Sequence, residues 1–268
     1  MGSAPSGLVV IIPARIGSTR FPGKLLARAG GRTLIEWTWR RAARVEGLDR
    51  VWIATDSPEI ETEATSFGAS VVRTGACASG SDRVGAALDQ IAPTPAAVIN
   101  LQGDEPLVAA EALAAVRDGL RAGGEEIVTC ASPLPTREAW LDPAVVKVIR
   151  NPAGRAVYFS RAPIPAAPDG SGPEAFVRAQ ATARVHVGIY GYPVPILRRL
   201  IALAPSPLER AESLEQLRAL EAGIPIRVVD VPPGGRSVDT PEDWEVVRKI
   251  LDEEAESGAA GREEGESR

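Results

Sequence analysis

The chain has few of the residues that build disulfide or zinc scaffolds. Its 268 residues include two cysteines, Cys77 and Cys130, a single histidine and no CxxC pair. Small disulfide-stapled proteins are rich in cysteine, and structural zinc sites need several Cys or His ligands at short spacings. The sequence therefore predicts a protein of a reducing compartment, without a disulfide framework or a zinc site.

Long apolar runs are also lacking. The longest ones, such as LVVII at residues 8–12, have the length of a strand, whereas a membrane helix needs about 20 apolar residues. Residues 1–7 have neither the charged start nor the apolar segment of a signal peptide. We therefore expect a cytoplasmic protein that has no membrane partner.

An excess of positive charge is absent as well. The chain has 30 basic and 35 acidic residues, and residues 252–268 contain seven of the acidic and two of the basic ones, which leaves 28 of each sign elsewhere. Proteins that bind nucleic acids present a basic face. We expect no nucleic-acid partner, and an anionic ligand would have to be held by local cations.

Strand-like and helix-like stretches alternate in the first half of the chain, a βαβ rhythm typical of an α/β protein with a mostly parallel sheet. The apolar runs do not alternate with polar residues, as expected for strands covered on both faces. The predicted strands are residues 8–13, 50–55, 69–72, 97–101 and 127–131, with helices that include 34–45 and 111–121.

The middle of the chain changes character. Residues 145–150, 155–161 and 185–192 are predicted antiparallel strands, and we interpret approximately 140–195 as an inserted β lobe with a mobile loop at 166–172. A helix at 208–222, a strand at 224–229 and a helix at 241–251 follow. The sequence thus predicts one domain over 1–251 and a disordered acidic tail over 252–268.

A connection near the N-terminus concentrates positive charge. Residues 13–24 read PARIGSTRFPGK and include Arg15, Arg20 and Lys24. Backbone amides and hydroxyls of such a loop can surround phosphate oxygens while the three cations offset their charge. Neither the Walker pattern GxxxxGK[ST] nor the dinucleotide pattern GxGxxG is present. The loop indicates a triphosphate site more than a solvated basic turn.

Two aspartates could bind a cation near such a site. Asp104 lies in QGDEP after an apolar strand, and Asp239 lies in VDTPED before the last predicted helix. Magnesium usually binds one or two carboxylates together with substrate phosphates. An aspartate at either position could equally cap the following helix, as Thr240 before Pro241 also could. The residues alone leave both interpretations open.

The single histidine, His186, lies in HVGIY. In an extended strand His186 and Tyr190 project from one face, so both could contact the same ligand. A lone histidine on a strand is more often structural than functional.

Four further polar residues have side chains that could bind a ligand. Arg161 has the planar fork that suits a carboxylate, and Gln102 could bind hydroxyl groups. Glu212 and Gln216 are four residues apart in a predicted helix and would share one face.

Nine segments resemble, in order, those of the 3-deoxy-manno-octulosonate (Kdo) cytidylyltransferases, relatives of the sialic-acid cytidylyltransferases. The resemblance extends to about Arg248. The segments are residues 12–24 (IPARIGSTRFPGK), 54–60 (ATDSPEI), 79–83 (SGSDR), 100–106 (NLQGDEP), 145–149 (VVKVI), 158–165 (YFSRAPIP), 186–192 (HVGIYGY), 212–218 (ESLEQLR) and 238–244 (VDTPEDW).

The resemblance implies a Rossmann-like nucleotidyltransferase fold, CTP and a sugar acid as substrates, Mg²⁺ as cofactor, and a homodimer formed through the inserted lobe. It implies that Asp104 and Asp239 hold the metal and that Lys24 acts with them in catalysis. The implied nucleotide-binding residues are Pro13, Ala14, Arg15, Ser18, Arg20, Lys24, Ser79, Gly80, Asp82 and Arg83. The implied sugar-acid residues are Gln102, Arg161, His186, Tyr190, Glu212 and Gln216.

The activity implied is transfer of CMP from CTP to the anomeric hydroxyl of Kdo, for lipopolysaccharide or related glycan synthesis. The chain departs from the family pattern at Ile16, Cys77, Ser81 and residues 166–171, and these departures leave the phosphate loop and the aspartates intact. Two alternatives remain: a cytidylyltransferase for another acid, such as a sialic-acid-like sugar or a phosphonate, and a non-catalytic binding protein of the same fold.

Overall fold

The computed structural model describes residues 7–167, 170 and 172–266, with side chains as far as Ser257. The described residues form two compact units. Unit I comprises those of 1–9, 91–100 and 111–233, and unit II comprises those of 10–90, 101–110 and 234–268.

Strands and helices alternate along most of the chain. The strands are β1 Leu8–Ala14, β2 Arg28–Ala29, β3 Arg32–Thr33, β4 Arg50–Thr55, β5 Ser70–Arg73, β6 Ala97–Asn100, β7 Ile127–Pro133, β8 Lys147–Arg150, β9 Ala156–Ser160, β10 Ala183–Pro193 and β11 Ile226–Asp230. The helices are α1 Leu34–Ala43, α2 Pro58–Ser66, α3 Gly80–Leu88, α4 Ala110–Arg121, α5 Arg137–Leu141, α6 Pro173–Thr182, α7 Val194–Ile201, α8 Pro207–Glu212, α9 Gln216–Glu221 and α10 Pro241–Glu266.

Unit II contains most of β1, which is followed in the sheet by β4 and β5. All seven residues of β1 are buried, as its uninterrupted apolar run predicts for a strand covered on both faces. Strands β4 and β5 pair in parallel. The helices α1, α2 and α3 pack against β4, so this unit has the layered α/β arrangement.

Unit I is built on β7, which pairs in parallel with β11 and antiparallel with β10. Strand β10 also pairs antiparallel with β6 and β8, and β8 pairs antiparallel with β9. The predicted α/β class and the antiparallel character of the 145–192 strands are confirmed. The interpretation as one domain with a lobe at about 140–195 stays a prediction.

The predicted single helix at 208–222 is wrong, because the chain turns between α8 and α9. Ser213 has a left-handed backbone (φ 52°), which ends α8. The turn lets the buried Arg218 form an ion pair with Glu209, with Nη2 2.6 Å from Oε1. Nine residues of straight helix would separate the two positions by about 13 Å, so this pair requires the break.

The prediction that the chain becomes disordered at Asp252 is also wrong. Helix α10 continues to Glu266, and the first residues after Leu251 find partners in unit II. The Asp252 Oδ1 atom accepts a hydrogen bond from the Gly30 N–H at 2.6 Å. The two carboxylate oxygens of Glu254 accept bonds from Arg41 Nη2 at 2.9 and 2.8 Å.

Two other predictions fall wholly or partly outside the described residues. The predicted mobile loop at 166–172 includes Pro168, Asp169 and Ser171, and the predicted absence of a targeting segment concerns residues 1–7, of which 1–6 are outside. In the described part of the chain, no helix combines the length and the apolar character needed to cross a membrane.

Candidate active site

A cavity of about 240 Å³ lies in unit II, beyond the carboxyl end of β1. Open α/β sheets bind ligands at this end of their strands. Every residue predicted to bind the nucleotide or the metal lines the cavity, with the exception of Asp82. Gln102 also lines it, so the structure brings the phosphate loop together with the QGD segment and Asp239.

The local sequence positions Lys24 at the end of the phosphate loop. Gly23 has a positive φ of 71°, which a residue with a side chain adopts only at a cost. Its N–H bonds to the Ile16 carbonyl at 3.2 Å and closes the loop. The short 3₁₀ helix Lys24–Leu26 follows, and its buried Leu25 anchors the turn in the core.

The Lys24 ammonium joins the two candidate metal-binding aspartates. Its Nζ lies 2.5 Å from Asp104 Oδ2 and 3.3 Å from Asp239 Oδ1. It also donates to the Val238 carbonyl at 2.6 Å, so three acceptors match its three N–H groups. Arg20 Nη2 lies 3.1 Å from the same oxygen of Asp239. Both carboxylates therefore converge on one position that already holds a cation.

Helix capping does not account for either aspartate. Helix α4 begins at Ala110, well beyond Asp104. At the start of α10, Thr240 Oγ1 accepts the Asp243 N–H at 3.2 Å and the Asp243 carboxylate accepts the Thr240 N–H at 3.1 Å. Thr240 is thus the cap, and the Asp239 carboxylate faces the cations.

Close packing sets the path of the chain beside Asp104. A Cβ atom added to Gly103 would lie 3.1 Å from Ile35 Cδ1 and 3.3 Å from the Pro13 carbonyl oxygen. The Gly103 carbonyl accepts a bond from Thr38 Oγ1 at 3.0 Å. Glycine at this position therefore lets the Asp104 turn approach the end of β1.

The start of α3 supplies the second wall of the cavity. Ser79 and Asp82 form a reciprocal capping box, which explains why Asp82 does not line the cavity. The buried Arg83 donates to Thr74 Oγ1 at 2.6 Å and to Asp56 Oδ2 at 3.0 Å. Asp56 and Thr74 are supporting residues that sequence reasoning missed, although Asp56 lies within the ATDSPEI segment.

Glu105 is a further residue that the sequence analysis overlooked, although it follows Asp104 directly. Burial and, after it, the charges of Asp104 and Asp239 together raise the pKa of its carboxyl group to about 8, although the Lys24 ammonium acts in the opposite direction. Asp104 and Asp239 thus place negative charge beside Lys24 and Arg20, which suits a site for added cationic charge.

Arg161 and Glu212, both predicted to bind the sugar acid, are in direct contact in unit I. The Arg161 N–H donates to Glu212 Oε2 at 2.9 Å, and Arg161 Nε donates to the Glu212 carbonyl at 2.8 Å. Glu212 Oε1 accepts a bond from Ser160 Oγ at 2.6 Å. The Glu212 carboxylate therefore holds the backbone that presents Arg161.

His186 and Tyr190 form the second cluster of unit I. Their rings lie 5.3 Å apart, so the prediction that they share a face is confirmed, despite a bulge in β10 between Val187 and Tyr190. The His186 Nε2 atom lies 3.0 Å from Thr129 Oγ1, and the Phe159 ring packs edge-on against the imidazole. Burial lowers the His186 pKa to about 3, so its ring is neutral at physiological pH.

Tyr190 carries an unused hydrogen-bonding group. Its hydroxyl is buried and has no hydrogen-bond partner among the described residues. Burial raises the Tyr190 pKa well above its ordinary value, and the charge of Glu215 adds to this effect. A buried, unpaired hydroxyl costs free energy unless a ligand satisfies it, which makes Tyr190 a candidate substrate contact.

Gln216 and Glu212 do not share a helix face. Glu212 is the last residue of α8, and Gln216 is the buried first residue of α9. The i, i+4 argument fails because Ser213 breaks the helix between them. Gln102 belongs to unit II, and the other five predicted sugar-acid residues belong to unit I.

The carboxylate arrangement differs from a preformed metal centre. Within the described residues, no three His, Cys, Asp or Glu side chains come together as a metal-binding cluster. Asp104 and Asp239 provide two oxygen donors, the number with which proteins commonly hold Mg²⁺ when substrate phosphates complete its coordination. The donor set therefore fits Mg²⁺.

Solved structures with similar folds include one titled as a CMP:2-keto-3-deoxy-manno-octonic acid synthetase complexed with CTP. It is 37% identical, with a TM-score of 0.85, and the match covers 93% of this chain and 100% of the other. A cytidylyltransferase from Leptospira borgpetersenii is 18% identical with a TM-score of 0.57, over 91% of this chain and 85% of the other, and shows the fold alone.

Curated relatives are closer in sequence. The 3-deoxy-manno-octulosonate cytidylyltransferase of Anaeromyxobacter dehalogenans (strain 2CP-C) is 46% identical over 91% of this chain and 97% of its own. That of Rhodopseudomonas palustris (strain ATCC BAA-98 / CGA009) is 44% identical over the same shares. Residues 9–227 match the cytidylyltransferase family. The chain belongs to the cytidylyltransferases and, among them, to the 3-deoxy-manno-octulosonate cytidylyltransferase family.

Proposed function

We propose that this protein transfers CMP from CTP to the anomeric hydroxyl of 3-deoxy-manno-octulosonate, releasing pyrophosphate, for lipopolysaccharide or a related glycan. The observation that carries the proposal is the convergence of Arg20, Lys24, Asp104 and Asp239 in one cavity beside the phosphate loop. The relatives named for this activity support the same substrates.

The protein's part in the reaction is binding and orientation. Arg15, Arg20 and Lys24 offset the charge of the triphosphate, and the loop amides bind its oxygens. The sugar-acid hydroxyl attacks the α-phosphorus and loses its proton while the bond to the pyrophosphate oxygen breaks. Holding both substrates in line lowers the barrier by removing the entropy cost of their encounter.

Asp104 and Asp239 would hold Mg²⁺ together with phosphate oxygens. When bound, the ion would supply positive charge at the reacting phosphate and lower the pKa of the attacking hydroxyl. Lys24 occupies the position between the two carboxylates, and its anchor on the Val238 carbonyl keeps its charge within the site. Mg²⁺ dependence is measurable by omitting the metal from the assay and by equilibrium binding of Mn²⁺.

The unit I residues provide the chemistry that an acidic sugar requires. Arg161 offers a guanidinium for the carboxylate, while the Tyr190 hydroxyl and the neutral His186 ring can pair with hydroxyl groups. A site of this kind discriminates strongly, because an analogue that lacks one group leaves a buried partner unpaired.

Pyrophosphate release tests the proposal. The reactions compare CTP with Kdo, CTP with N-acetylneuraminate, CTP with a phosphonate, and UTP with Kdo. We expect turnover with CTP and Kdo and at most slow turnover in the other three. Turnover of another acid but not of Kdo would overturn the acceptor assignment, and no release with any acid would favour a non-catalytic binding protein.

We also infer a cytoplasmic homodimer. Among the strands that the structure describes, β9 pairs only with β8, and Val157 is 58% exposed, so this edge strand supports an interface in unit I. Light scattering of the purified protein measures the mass directly, and a mass of one chain at micromolar concentration would contradict the dimer. Cell fractionation tests the location.

A further inference from the structure

Lys147 is a lysine whose side chain is wholly enclosed in unit I. It lies at the first position of β8 and has 0% exposure. Its Nζ donates to three backbone carbonyls, those of Asp142 at 2.9 Å, Val145 at 2.5 Å and Arg161 at 2.5 Å. Each N–H of the ammonium therefore has a carbonyl acceptor, and none of these bonds goes to a carboxylate.

A buried cation of this kind is costly to maintain. Removing an ammonium from water is unfavourable unless it is paired and fully hydrogen-bonded. Burial lowers the Lys147 pKa, while the charges of Asp142 and Glu212 act in the opposite direction. An apolar residue would fill the same volume without this cost. Packing alone therefore does not explain why a lysine lies at position 147.

The carbonyls that Lys147 holds belong to Arg161 and to the 142–146 turn, which contacts two of the predicted sugar-acid residues. In the turn at 142–146, the Pro143 carbonyl accepts a hydrogen bond from Arg161 Nη1 at 3.1 Å. The Val146 carbonyl accepts a hydrogen bond from the His186 backbone N–H at 2.9 Å. The third carbonyl bound by Lys147 is that of Arg161 itself.

Arg161 is thereby held from several directions before any ligand arrives. Its backbone N–H and Nε bond to Glu212, its Nη1 bonds to Pro143, and its carbonyl bonds to Lys147. Its Nη2 group takes part in none of these bonds. A guanidinium fixed in this way loses less entropy when it binds a carboxylate than a free arginine would.

We propose that Lys147 is a positioning residue for sugar-acid recognition, because it locks the 142–146 turn and the Arg161 backbone into the geometry that presents the Arg161 guanidinium. The proposal rests on the proposed function, in which Arg161 binds the substrate carboxylate. Lys147 itself touches neither substrate.

The test is Lys147→Met, which keeps the length of the side chain and removes the ammonium. Steady-state kinetics with CTP and Kdo should show KM for Kdo raised about tenfold or more, with KM for CTP within about twofold of wild type. Arg150→Met is the matched control. It removes a cation from the same strand, one that bonds to Asp230 and Val228 and to none of the Lys147 acceptors; we expect an unchanged KM for Kdo.

A double-variant cycle separates positioning from a general loss of structure. If Lys147 acts through Arg161, adding Lys147→Met to Arg161→Ala should raise KM for Kdo no further. Additive effects, or equal rises in the two KM values, would overturn the proposal. If wild type does not turn over Kdo, the proposed function fails first and on its own.

Pro143→Gly provides a second route if Lys147→Met does not fold. It loosens the turn while leaving the ammonium and its three carbonyls in place. A rise of about threefold or more in KM for Kdo alone is expected. A wild-type KM for Kdo in a folded Pro143→Gly protein would overturn the proposed role of the turn.

Discussion

Lys24 is the residue on which the charges of the cavity converge. Its ammonium contacts the carboxylates of both Asp104 and Asp239, which lie 80 and 215 positions away in the chain. Burial and the charges of these two aspartates raise the Glu105 pKa to about 8, so its carboxyl group is mostly uncharged at neutral pH. We therefore expect the activity to be sensitive to the change of a single charged residue at this site.

Asp104→Asn and Asp239→Asn should each lower kcat by about a hundredfold or more, since each removes a carboxylate that would hold the Mg²⁺ opposing the charge on the reacting phosphate. Pyrophosphate release at saturating Mg²⁺ measures the effect. Asp230→Asn is the control, because this exposed aspartate of unit I pairs with Arg150. Near-normal turnover in either active-site variant would remove that aspartate from the proposed metal site.

His186 should make stability depend on pH in the acid range. Its folded pKa of about 3 lies below its unfolded value of about 6.5, so between these values the unfolded state binds a proton that the folded state does not. Stability therefore falls as pH decreases through this window and is fully present above it.

Urea denaturation of wild type and His186→Gln at pH 7.5 and pH 5 measures this linkage. Relative to the variant, wild type should lose up to about 2 kcal/mol of unfolding free energy between the two pH values. Since the chain has no other histidine, the difference can be assigned to this residue. An equal loss in both proteins would show that His186 accepts a proton freely in the folded state.

Among the secondary-structure elements, α10 contacts the rest of unit II through residues beyond Leu251. Beyond Leu251, Asp252 satisfies the Gly30 N–H, and Glu254 pairs with Arg41. A Cβ atom added to Gly30 would lie 2.4 Å from Ala255 Cβ, which shows how closely the helix and the β2–β3 turn approach. This segment contributes to unit II, contrary to the expectation of a disordered acidic tail.

Two truncated chains test whether the residues after Leu251 stabilise unit II or form a disordered tail. A chain that ends at Leu251 should melt several degrees lower than wild type, since it loses the charged hydrogen bonds of Asp252 and Glu254, and such a bond contributes about 1.5–3 kcal/mol. A chain that ends at Ser257 keeps these contacts and should melt within about 2 °C of wild type. Equal melting temperatures for the two truncations, measured by scanning calorimetry, would favour the predicted disordered tail.

On the scale of the whole molecule, the proposed roles divide between the two units. The phosphate loop and the aspartates belong to unit II, while Arg161, His186 and Tyr190 belong to unit I. The family to which the chain belongs needs two substrates of different chemistry, a nucleotide and a sugar acid. The division predicts that substitutions in each unit affect one substrate selectively.

Arg15→Ala should raise KM for CTP about tenfold with a small effect on KM for Kdo, because the loop cation offsets triphosphate charge. Arg161→Ala and His186→Ala should do the reverse. Initial rates over a grid of both substrate concentrations separate the two KM values. A comparable loss of CTP affinity in Arg161→Ala and His186→Ala would move those residues to the nucleotide site.

The sequence by itself determined the α/β class and the candidate phosphate loop. The apolar run of β1 is complete within seven residues, and the cations of residues 15–24 lie in one short connection. Such features are local, so neighbouring residues encode them. The same locality explains why the capping role of Asp239 stayed open, since Asp239 and Thr240 fit the helix start equally well.

Only the tertiary structure decided which of these residues meet. Lys24, Asp104 and Asp239 converge because Gly103 allows close packing beside β1 and the Val238 carbonyl anchors the lysine. The break at Ser213 serves the Arg218–Glu209 pair, and α10 extends to reach Gly30 and Arg41. In each case a tertiary contact outweighs the local conformational preference of the chain, which is about a kilocalorie per mole or less per residue. No single segment of the sequence reveals such a contact.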